Sequence, residues 1–443
     1  MKSKYTIREF GVISDGLCKN PYSSDSIEVD QKTFESLANF IEENYENKDF
    51  ESAFLIFKKK GRRHIRVKNY VGVIETKDGV AIEILPKTFR GNNPSSEEDS
   101  KLLLLRMLKT LSNTPFINLN TAHLKEAKDF PLLEIFITTY LDELGKLINH
   151  ELRGDYQLVQ ENVKFIKGKL QISEHIKRNS YRQTHFYCSH HEFSENISPN
   201  RIIKSTLFHL LKISRYEKNK SRIIKFLEYF KNVEFSISLE SDLSYSKGNK
   251  KFLSRYLNLL LWSEIYLKNK SFTIFHGASI NQAILFPMER LFESYIAFLI
   301  KKYCNGLSIA TQDKRYFLVN QKLNPSDESY GKKLFQLRPD IVIGGDLLII
   351  DTKWKMVDSH SRKYDIQEAD IYQMNAYGRR YQSANVTKRA PRLGLIYPKT
   401  PDFNKSLLQM RYGEDLYLDV VPFDLNSDNS AGEIKHVIQT LFG

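Results

Sequence analysis

Two aspartates and a lysine, Asp340, Asp351 and Lys353, lie close together in the carboxy-terminal third of the chain. Each aspartate adjoins a short run of β-branched and aliphatic residues, and the Gly-Gly-Asp sequence at 344–346 is typical of a tight hairpin turn. In an antiparallel hairpin with that turn, Asp340 at the start of one strand comes level with Asp351 at the end of the other. The sequence therefore predicts two carboxylates at one edge of a sheet.

These residue types suit metal-assisted hydrolysis of a phosphodiester. Side chains alternate between the two faces of a strand, so Lys353 points to the same side as Asp351. Two carboxylates with open coordination positions suit Mg²⁺, which retains waters and completes its shell with substrate phosphate, and Mn²⁺ can substitute. The ion would make a water easier to deprotonate, and the Lys353 ammonium would stabilise the developing charge. We predict that Asp340 and Asp351 bind the metal.

The order of an aspartate after a proline, a short hairpin and then D-x-K resembles the PD-(D/E)xK nuclease motif. The resemblance implies a metal-dependent DNA endonuclease in which Asp340, Asp351 and Lys353 are catalytic. The alternative is a surface hairpin with chance charges. The aliphatic run before Asp351, which predicts a buried strand, and the helix predicted after it favour the nuclease.

A helix predicted over 283–303 directs Leu291 and Phe292 to the core and either Glu289 or Glu293 to the site. Because PD-(D/E)xK nucleases often carry a glutamate on the first core helix, the resemblance favours Glu293 as an assisting catalytic residue. A solvated charge, or one that stabilises the first helical turn, is the alternative.

A second helix, predicted over 361–381, places Gln373 and Tyr377 four residues apart and hence on one face. They resemble the Q-x-x-x-Y element of several such nucleases, which implies that they support the site or contact DNA. Ordinary packing of Tyr377 beside a surface Gln373 is the alternative.

Three regions should position these residues. Residues 1–100 alternate β-rich runs with turns and predict a β-rich domain, while the polar stretch 91–100 predicts a linker. Apolar residues at helical spacing predict a mainly helical middle region over 101–275. Residues 276–443 alternate helices and strands, so we expect an α/β multidomain protein whose last domain is a PD-(D/E)xK restriction-endonuclease-like core.

Composition favours a folded protein with a polyanionic partner. Apolar residues make up 41% of the chain and charged residues 27%, as in globular rather than disordered proteins. The formal net charge of +13 would attract nucleic acid, although a Lys-rich host would show the same bias. Three scattered cysteines indicate a reducing compartment. With neither a signal peptide nor a long apolar stretch visible, we expect a cytoplasmic protein that is not embedded in a membrane.

Beyond the nuclease motif, the chain resembles the McrC family, the nuclease subunit of McrBC-type 5-methylcytosine restriction systems. The matching stretches occur in family order at 71–74, 82–87, 165–170, 200–204, 290–295, 340–353, 370–377 and 393–398. The chain departs from compact members by polar loops around Asn92 and Asn324.

The resemblance implies a subunit that cuts double-stranded DNA together with, and while stimulating, a separate McrB-like AAA+ GTPase hexamer. The chain carries no G-x-x-x-x-G-K-[ST] phosphate loop, so any nucleotide motor is another polypeptide. The amino-terminal β region would dock on this partner. A basic tip would contact the ring or DNA, with a solvated hairpin as the alternative, and it comprises Lys58, Lys59, Lys60, Arg62 and Arg63.

Two other functions stay open. The chain could be a stand-alone repair or phage-defence nuclease with the same core, or a non-catalytic activator of the motor. Intact acidic and lysine residues at Asp340, Asp351 and Lys353 argue against the second.

Overall fold

A computed structural model describes residues 4–16, 26–44, 53–87, 94–119, 130–181, 184–248, 253–268, 280–322, 331–345, 347–385, 389–427 and 429–442. Asn92, Asn324 and Asp346 lie outside these residues. Among the described helices, none has both the length and the apolar composition that crossing a membrane requires.

The described strands are β1 (Lys4–Arg8), β2 (Val12–Asp15), β3 (Ser26–Val29), β4 (Phe54–Lys59), β5 (Arg62–Val67), β6 (Tyr70–Thr76), β7 (Ala81–Leu85), β8 (Asp155–Val163), β9 (Lys169–Leu170), β10 (Phe186–Ser194), β11 (Ile280–Pro287), β12 (Ile309–Thr311), β13 (Phe317–Gln321), β14 (Lys332–Gln336), β15 (Ile341–Ile343), β16 (Leu348–Thr352), β17 (Arg392–Pro398), β18 (Leu407–Tyr412) and β19 (Leu416–Phe423). The described α-helices are α1 (Gln31–Glu43), α2 (Pro94–Leu108), α3 (Leu132–Ile148), α4 (Ile172–Asn179), α5 (Ser198–Ile213), α6 (Glu217–Tyr229), α7 (Leu239–Gly248), α8 (Leu257–Leu267), α9 (Met288–Tyr303), α10 (Glu368–Ala384) and α11 (Ser430–Phe442). The protein is therefore of mixed α/β class with several sheets.

The amino-terminal region forms two four-stranded sheets, as its β-rich sequence predicts. One has the order β1-β7-β6-β11 and the other the order β3-β2-β5-β4. The region also contains a helix, α1, which packs against both sheets. Asp30 caps this helix by accepting a hydrogen bond from the Thr33 amide at 2.9 Å, and Phe34, Leu37 and Ile41 form its buried stripe.

The predicted basic hairpin tip is confirmed. Lys59 pairs with Arg62 across β4 and β5, and Lys60 and Gly61 form the turn with φ of 50° and 78°. Arg63 is held within this region, since its guanidinium contacts Glu35 at 3.2 Å and Glu42 at 2.6 Å. The remaining basic residues of the tip are exposed, namely Lys58, Lys59, Lys60 and Arg62.

One expectation about the middle of the chain was wrong. The predicted linker at 91–100 contains the start of α2, because Pro94 occupies the first helical position, where a proline costs no hydrogen bond. The helical region also includes a three-stranded sheet, order β8-β10-β9. Strands β8 and β10 pair over nine residues each. The side chains of β8 are mostly exposed, so the apolar periodicity that marks buried elements is weak there.

The carboxy-terminal region contains a six-stranded sheet of order β12-β15-β16-β17-β19-β18. Strands β16, β17 and β19 are parallel, and β16 connects to β17 through α10. Alternate residues of β16 bury on opposite faces. Ile350 joins the core that includes α9 and α11, while Ile349 joins the core that includes α10. The two helix layers thus cover the strand that carries Asp351.

Both helices flanking the hairpin begin later than predicted. Residues 283–287 belong to β11, and α9 begins at Met288 because Pro287 lacks the amide that would continue the ladder. Helix α10 begins at Glu368 rather than at 361, since Tyr364 and Asp365 have φ of 57° and 55°, which a helix excludes.

Strand β11 pairs antiparallel with β6 and so completes an amino-terminal sheet with residues from far along the chain. One continuous core contains Val71 of this sheet, the middle helices and one face of the carboxy-terminal sheet. The division into domains at 100/101 and 275/276 stays a prediction.

Gly72 sets how closely β6 approaches β11. Its φ is 138°, and a Cβ added there would lie 2.0 Å from the carbonyl oxygen of Ile284. We expect Gly72→Ala to lower the free energy of unfolding by about 3 kcal/mol, measured by urea denaturation. Gly145→Ala is the control, because a Cβ in this helical position meets its nearest atom at 3.6 Å. Equal stability of the two variants would contradict the expectation.

Candidate active site

The two strands around the aspartates pair as predicted. Strands β15 and β16 are antiparallel with Ile341 opposite Ile350, and the same register continued by one residue brings Asp340 level with Asp351. The buried strand begins at Leu348 rather than at Leu347, because Leu347 lies in the turn and is 43% exposed.

The Asp340 carboxyl group accepts hydrogen bonds from Thr352 and Gln312. Its Oδ2 accepts from the backbone amide of Thr352 at 2.7 Å and from the Thr352 hydroxyl at 2.8 Å. Its Oδ1 lies 3.3 Å from the side-chain nitrogen Nε2 of Gln312. These donors orient the carboxyl group at the end of β16, beside Asp351.

Lys353 lies among acidic and amide groups. Its Nζ contacts Asp351 Oδ2, donates to Gln373 Oε1 at 2.9 Å and lies 3.8 Å from Asp370 Oδ1. Burial alone would lower the pKa of Lys353, but the charge and hydrogen bond of Asp351, together with the charges of Asp370 and Asp340, outweigh burial and raise the pKa above its ordinary value. The amine is therefore a cation held against Asp351.

Glu293 joins the same group through an amide. Gln312 donates from its side-chain nitrogen to Glu293 Oε1 and, as above, approaches Asp340. Glu289 is exposed whereas Glu293 is half-buried. Of the two glutamates considered from the sequence, Glu293 is the one that contacts this group, and its catalytic role stays a prediction.

Gln373 and Tyr377 lie on the face of α10 that meets Lys353. The Gln373 amide nitrogen donates to the Tyr377 hydroxyl at 2.7 Å while its oxygen accepts from the lysine. Burial raises the pKa of Tyr377, so its hydroxyl stays protonated. This hydrogen-bonded pair orients the Lys353 ammonium.

The carboxyl groups of Asp340, Asp351 and Glu293 all have raised pKa values. Burial, followed by the charges of Asp351 and Glu293, raises the pKa of Asp340 to about 8. Burial also raises the pKa of Asp351, despite Lys353, and that of Glu293. Raised pKa values at neighbouring acids indicate that too little positive charge surrounds them. A divalent cation would supply that charge.

The donor set suits a cation that is only partly ligated by protein. Within the described residues, no three acidic, histidine or cysteine side chains are grouped so as to hold a metal by themselves. Asp340 and Asp351 are level at the sheet edge, and Mg²⁺ commonly takes one or two carboxylates and fills its other positions with water and phosphate. The residues present fit such an ion.

Two neighbours of the site, Gln312 and Asp370, were not predicted from the sequence. Gln312 adopts φ of 51° in the loop after β12 and bridges two acids. Asp370 accepts from Lys355 at 2.8 Å and from the Tyr397 hydroxyl at 3.2 Å. The α10 position of Asp370, three residues before Gln373, was a signal available in the sequence. Gln312 gave none, because its loop has no periodicity.

The basic hairpin tip is not part of this cluster. It lies between β4 and β5, in a different sheet from β15 and β16. The structure thus brings together Asp340, Asp351, Lys353, Glu293, Gln373 and Tyr377, and leaves the basic tip in the amino-terminal region.

The fold and this sheet edge define a mixed α/β protein with a lysine held among buried acids. The chain belongs to the McrBC 5-methylcytosine restriction system component family, whose model matches residues 65–398. A comparison with curated protein sequences gave no match.

Two solved structures are similar to this chain. One is a refined half-complex from a tetradecameric assembly of Thermococcus gammatolerans McrB AAA+ hexamers with bound McrC, with a TM-score of 0.71, 14% identity and coverage of 99% of each chain. The other is a cryo-EM structure of the Thermococcus gammatolerans McrBC complex, with a TM-score of 0.51, 16% identity and coverage of 68% of this chain and 88% of that one. At these identities the likeness is one of fold.

The raised pKa of Asp340 gives a prediction for stability in the absence of divalent ions. Between its ordinary pKa of 3.8 and about 8, the folded protein retains a proton that the unfolded chain releases, so stability falls as pH rises through this window. We expect Asp340→Asn, which removes the charge, to be more stable than the parent by at least about 1 kcal/mol at pH 8. Thermal unfolding in EDTA measures the difference.

The control is Asp415→Asn, at a surface carboxylate paired with Arg379. Hydrogen bonds from Gln382 and Arg379 lower the pKa of Asp415, so its loss should destabilise rather than stabilise at pH 8. A lower stability of Asp340→Asn than of the parent at that pH would show that the ionised Asp340 carboxylate does not destabilise the folded protein.

Proposed function

We propose that this chain is a Mg²⁺-dependent endonuclease subunit of a modification-dependent, McrBC-like restriction system. It cleaves double-stranded DNA together with a separate AAA+ GTPase hexamer, whose hydrolysis it stimulates. The observation that carries the proposal is the convergence of two level aspartates and a lysine ammonium at one sheet edge, in a member of this family.

Each group has a distinct task in this chemistry. Asp340 and Asp351 would hold the ion, and Thr352 would keep Asp340 aimed at it through two hydrogen bonds. Mg²⁺ bound there would supply Lewis-acid charge to the phosphate and lower the pKa of water. Lys353, protonated and directed by Gln373, would orient the attacking water and offset charge that develops on the phosphate. Glu293 would assist by accepting a proton.

The architecture around the hairpin supports assignment to the PD-(D/E)xK nucleases. A helix carrying Glu293 precedes the hairpin and packs on β16, while a helix carrying Gln373 follows it and covers the opposite face. Strand β17 then pairs parallel with β16. This order is the one expected for such a core, and the formal charge of +13 favours DNA as the polyanion.

Similarity to structures that contain McrB hexamers with bound McrC supports an AAA+ partner for this chain. The amino-terminal sheets would provide the docking surface. The exposed tip residues Lys58, Lys59, Lys60 and Arg62 would meet acidic groups of the ring or the phosphates of DNA.

Loss of either member of the central ion pair should abolish cleavage. We expect Asp351→Asn and Lys353→Ala each to lower the single-turnover rate of double-stranded DNA cleavage by at least about 10²-fold, because charge stabilisation in a water-poor site contributes that much. Cleavage is measured with the partner GTPase, GTP and Mg²⁺. Circular dichroism should show an unchanged fold.

Asp415→Asn and Lys363→Ala are matched controls, since both remove charges from exposed surface ion pairs. Wild-type cutting by Asp351→Asn would refute the site. Full restriction in cells by both site variants would favour a non-catalytic activator, and vigorous cutting without the partner would favour a stand-alone nuclease.

Reversing charge at the hairpin tip should weaken docking without affecting chemistry. We expect Lys59→Glu with Lys60→Glu to slow association with the partner about tenfold at low salt, and the defect should shrink as salt rises. Stopped-flow binding and stimulated GTP hydrolysis measure it. The control is Lys363→Glu, at an exposed lysine of the carboxy-terminal region. Unchanged association would assign the tip to a solvated hairpin.

A further inference from the structure

A buried carboxyl group of the amino-terminal region contacts the strand end that carries Lys353. Glu9 follows β1 directly and is 1% exposed. Its Oε1 accepts from the indole Nε1 of Trp354 at 2.9 Å and from the backbone amide of Lys87 at 2.8 Å. Its Oε2 lies 3.1 Å from the same indole nitrogen. Burial raises the pKa of Glu9 to about 7, so its hydrogen bonds compensate a substantial desolvation cost.

Trp354 is the residue next to Lys353, and it points to the opposite face of the sheet edge. Its ring lies 5.4 Å from that of Phe292, the α9 residue that precedes Glu293. The backbone amide of Lys353 donates to the carbonyl of Ile396 at 2.9 Å, which extends the β16–β17 pairing to this point. The indole therefore anchors the backbone from which the Lys353 side chain projects.

Protein atoms do not enclose the indole on every side. A cavity of about 250 Å³ borders Trp354 and is lined in part by Phe10, Lys87 and Met356. A side chain with empty space beside it has fewer contacts to restrain it, so directional hydrogen bonds contribute more to its position. Glu9 provides both carboxyl oxygens for that purpose.

Glu9 occupies the corner at which the chain passes from one amino-terminal sheet to the other. Its own amide donates to Leu85 of β7, while Gly11, two residues later, accepts from the amide of Val67 at the end of β5. Phe10 between them has φ of 64°, which makes the corner sharp. The backbone of residues 9–11 is thus hydrogen-bonded to both sheets, including the one that carries the basic tip.

We propose that Glu9 is a positioning residue of the nuclease site, whose hydrogen bonds to Trp354 hold the end of β16 so that the Lys353 ammonium stays against Asp351. The inference rests on the proposed function, because it gives Glu9 a role in that same site. It makes an amino-terminal residue necessary for the geometry of a carboxy-terminal centre.

Two substitutions break this contact from opposite sides. Glu9→Met keeps the buried volume and removes both acceptor oxygens, and Trp354→Phe keeps an aromatic ring against Phe292 and removes the N–H donor. In the full chain with its partner, each should lower the single-turnover cleavage rate about tenfold to hundredfold with unchanged DNA affinity, since a small misplacement of a reacting group has that effect. Glu9→Gln, which retains one acceptor, should lose less.

A second readout follows Lys353 itself and needs no DNA. An amine-reactive acetylating reagent is applied to the full chain, and mass spectrometry compares labelling of Lys353 with that of the surface residue Lys363. Glu9→Met and Trp354→Phe should each raise the relative labelling of Lys353 several-fold, because its ammonium would leave Asp351 more often. The double variant should match the single variants, since all three lose the same contact.

Controls separate positioning from general destabilisation. Glu75→Gln removes a carboxylate that is 3% exposed in the same amino-terminal sheet, where it pairs with Arg215 at 2.8 Å. Trp262→Phe alters the other tryptophan, in the helical core 4.7 Å from Phe116. Both controls should change thermal stability while leaving the cleavage rate and the labelling of Lys353 as in the parent.

Parent levels of Lys353 labelling in both Glu9→Met and Trp354→Phe would overturn the inference, whatever the cleavage rates. If the parent protein cuts no DNA under any tested condition, the proposed function fails. The labelling experiment still decides in that case whether Glu9 positions the lysine.

Discussion

The cost of removing the carboxyl groups of Asp340, Asp351 and Glu293 from water at one sheet edge is the constraint on which the rest of the site depends. Burial raises the pKa of each, and neighbouring carboxylates add to the rise at Asp340, so this edge of the sheet is stable only where protons, amide donors or cations compensate the acids. Lys353, Gln312 and the Thr352 amide each contribute part of that compensation. Under the proposed function, a divalent ion would supply the positive charge that these groups leave missing.

The sequence predicted the parts of this centre that depend on local rules. The period-two alternation of β15 and β16 and the glycine turn between them determine the register, so the sequence alone predicts that Asp340 lies level with Asp351. Helical spacing likewise placed Gln373 and Tyr377 on one face. These relations involve residues close in the chain, where backbone geometry leaves few options.

What could not be predicted depends on contacts between distant segments. Glu9 and Trp354 are separated by 345 positions, and nothing local to either indicates the other. The apolar run at 283–287 suits a helix as well as a strand, and only its partner β6 decides between them. The late start of α10 follows from the positive φ of Tyr364 and Asp365, which neither residue type requires.

The late position of β11 in the chain affects folding during translation. The sheet that begins with β1 has β6 as its other edge until residues 280–287 leave the ribosome and pair with it. During translation that edge would expose unpaired amide and carbonyl groups, to which a chaperone or another nascent chain could bind. The amino-terminal sheet therefore reaches its native form only after the chain has been synthesised beyond residue 287, into helix α9 with Glu293, which couples maturation of the two ends of the molecule in time.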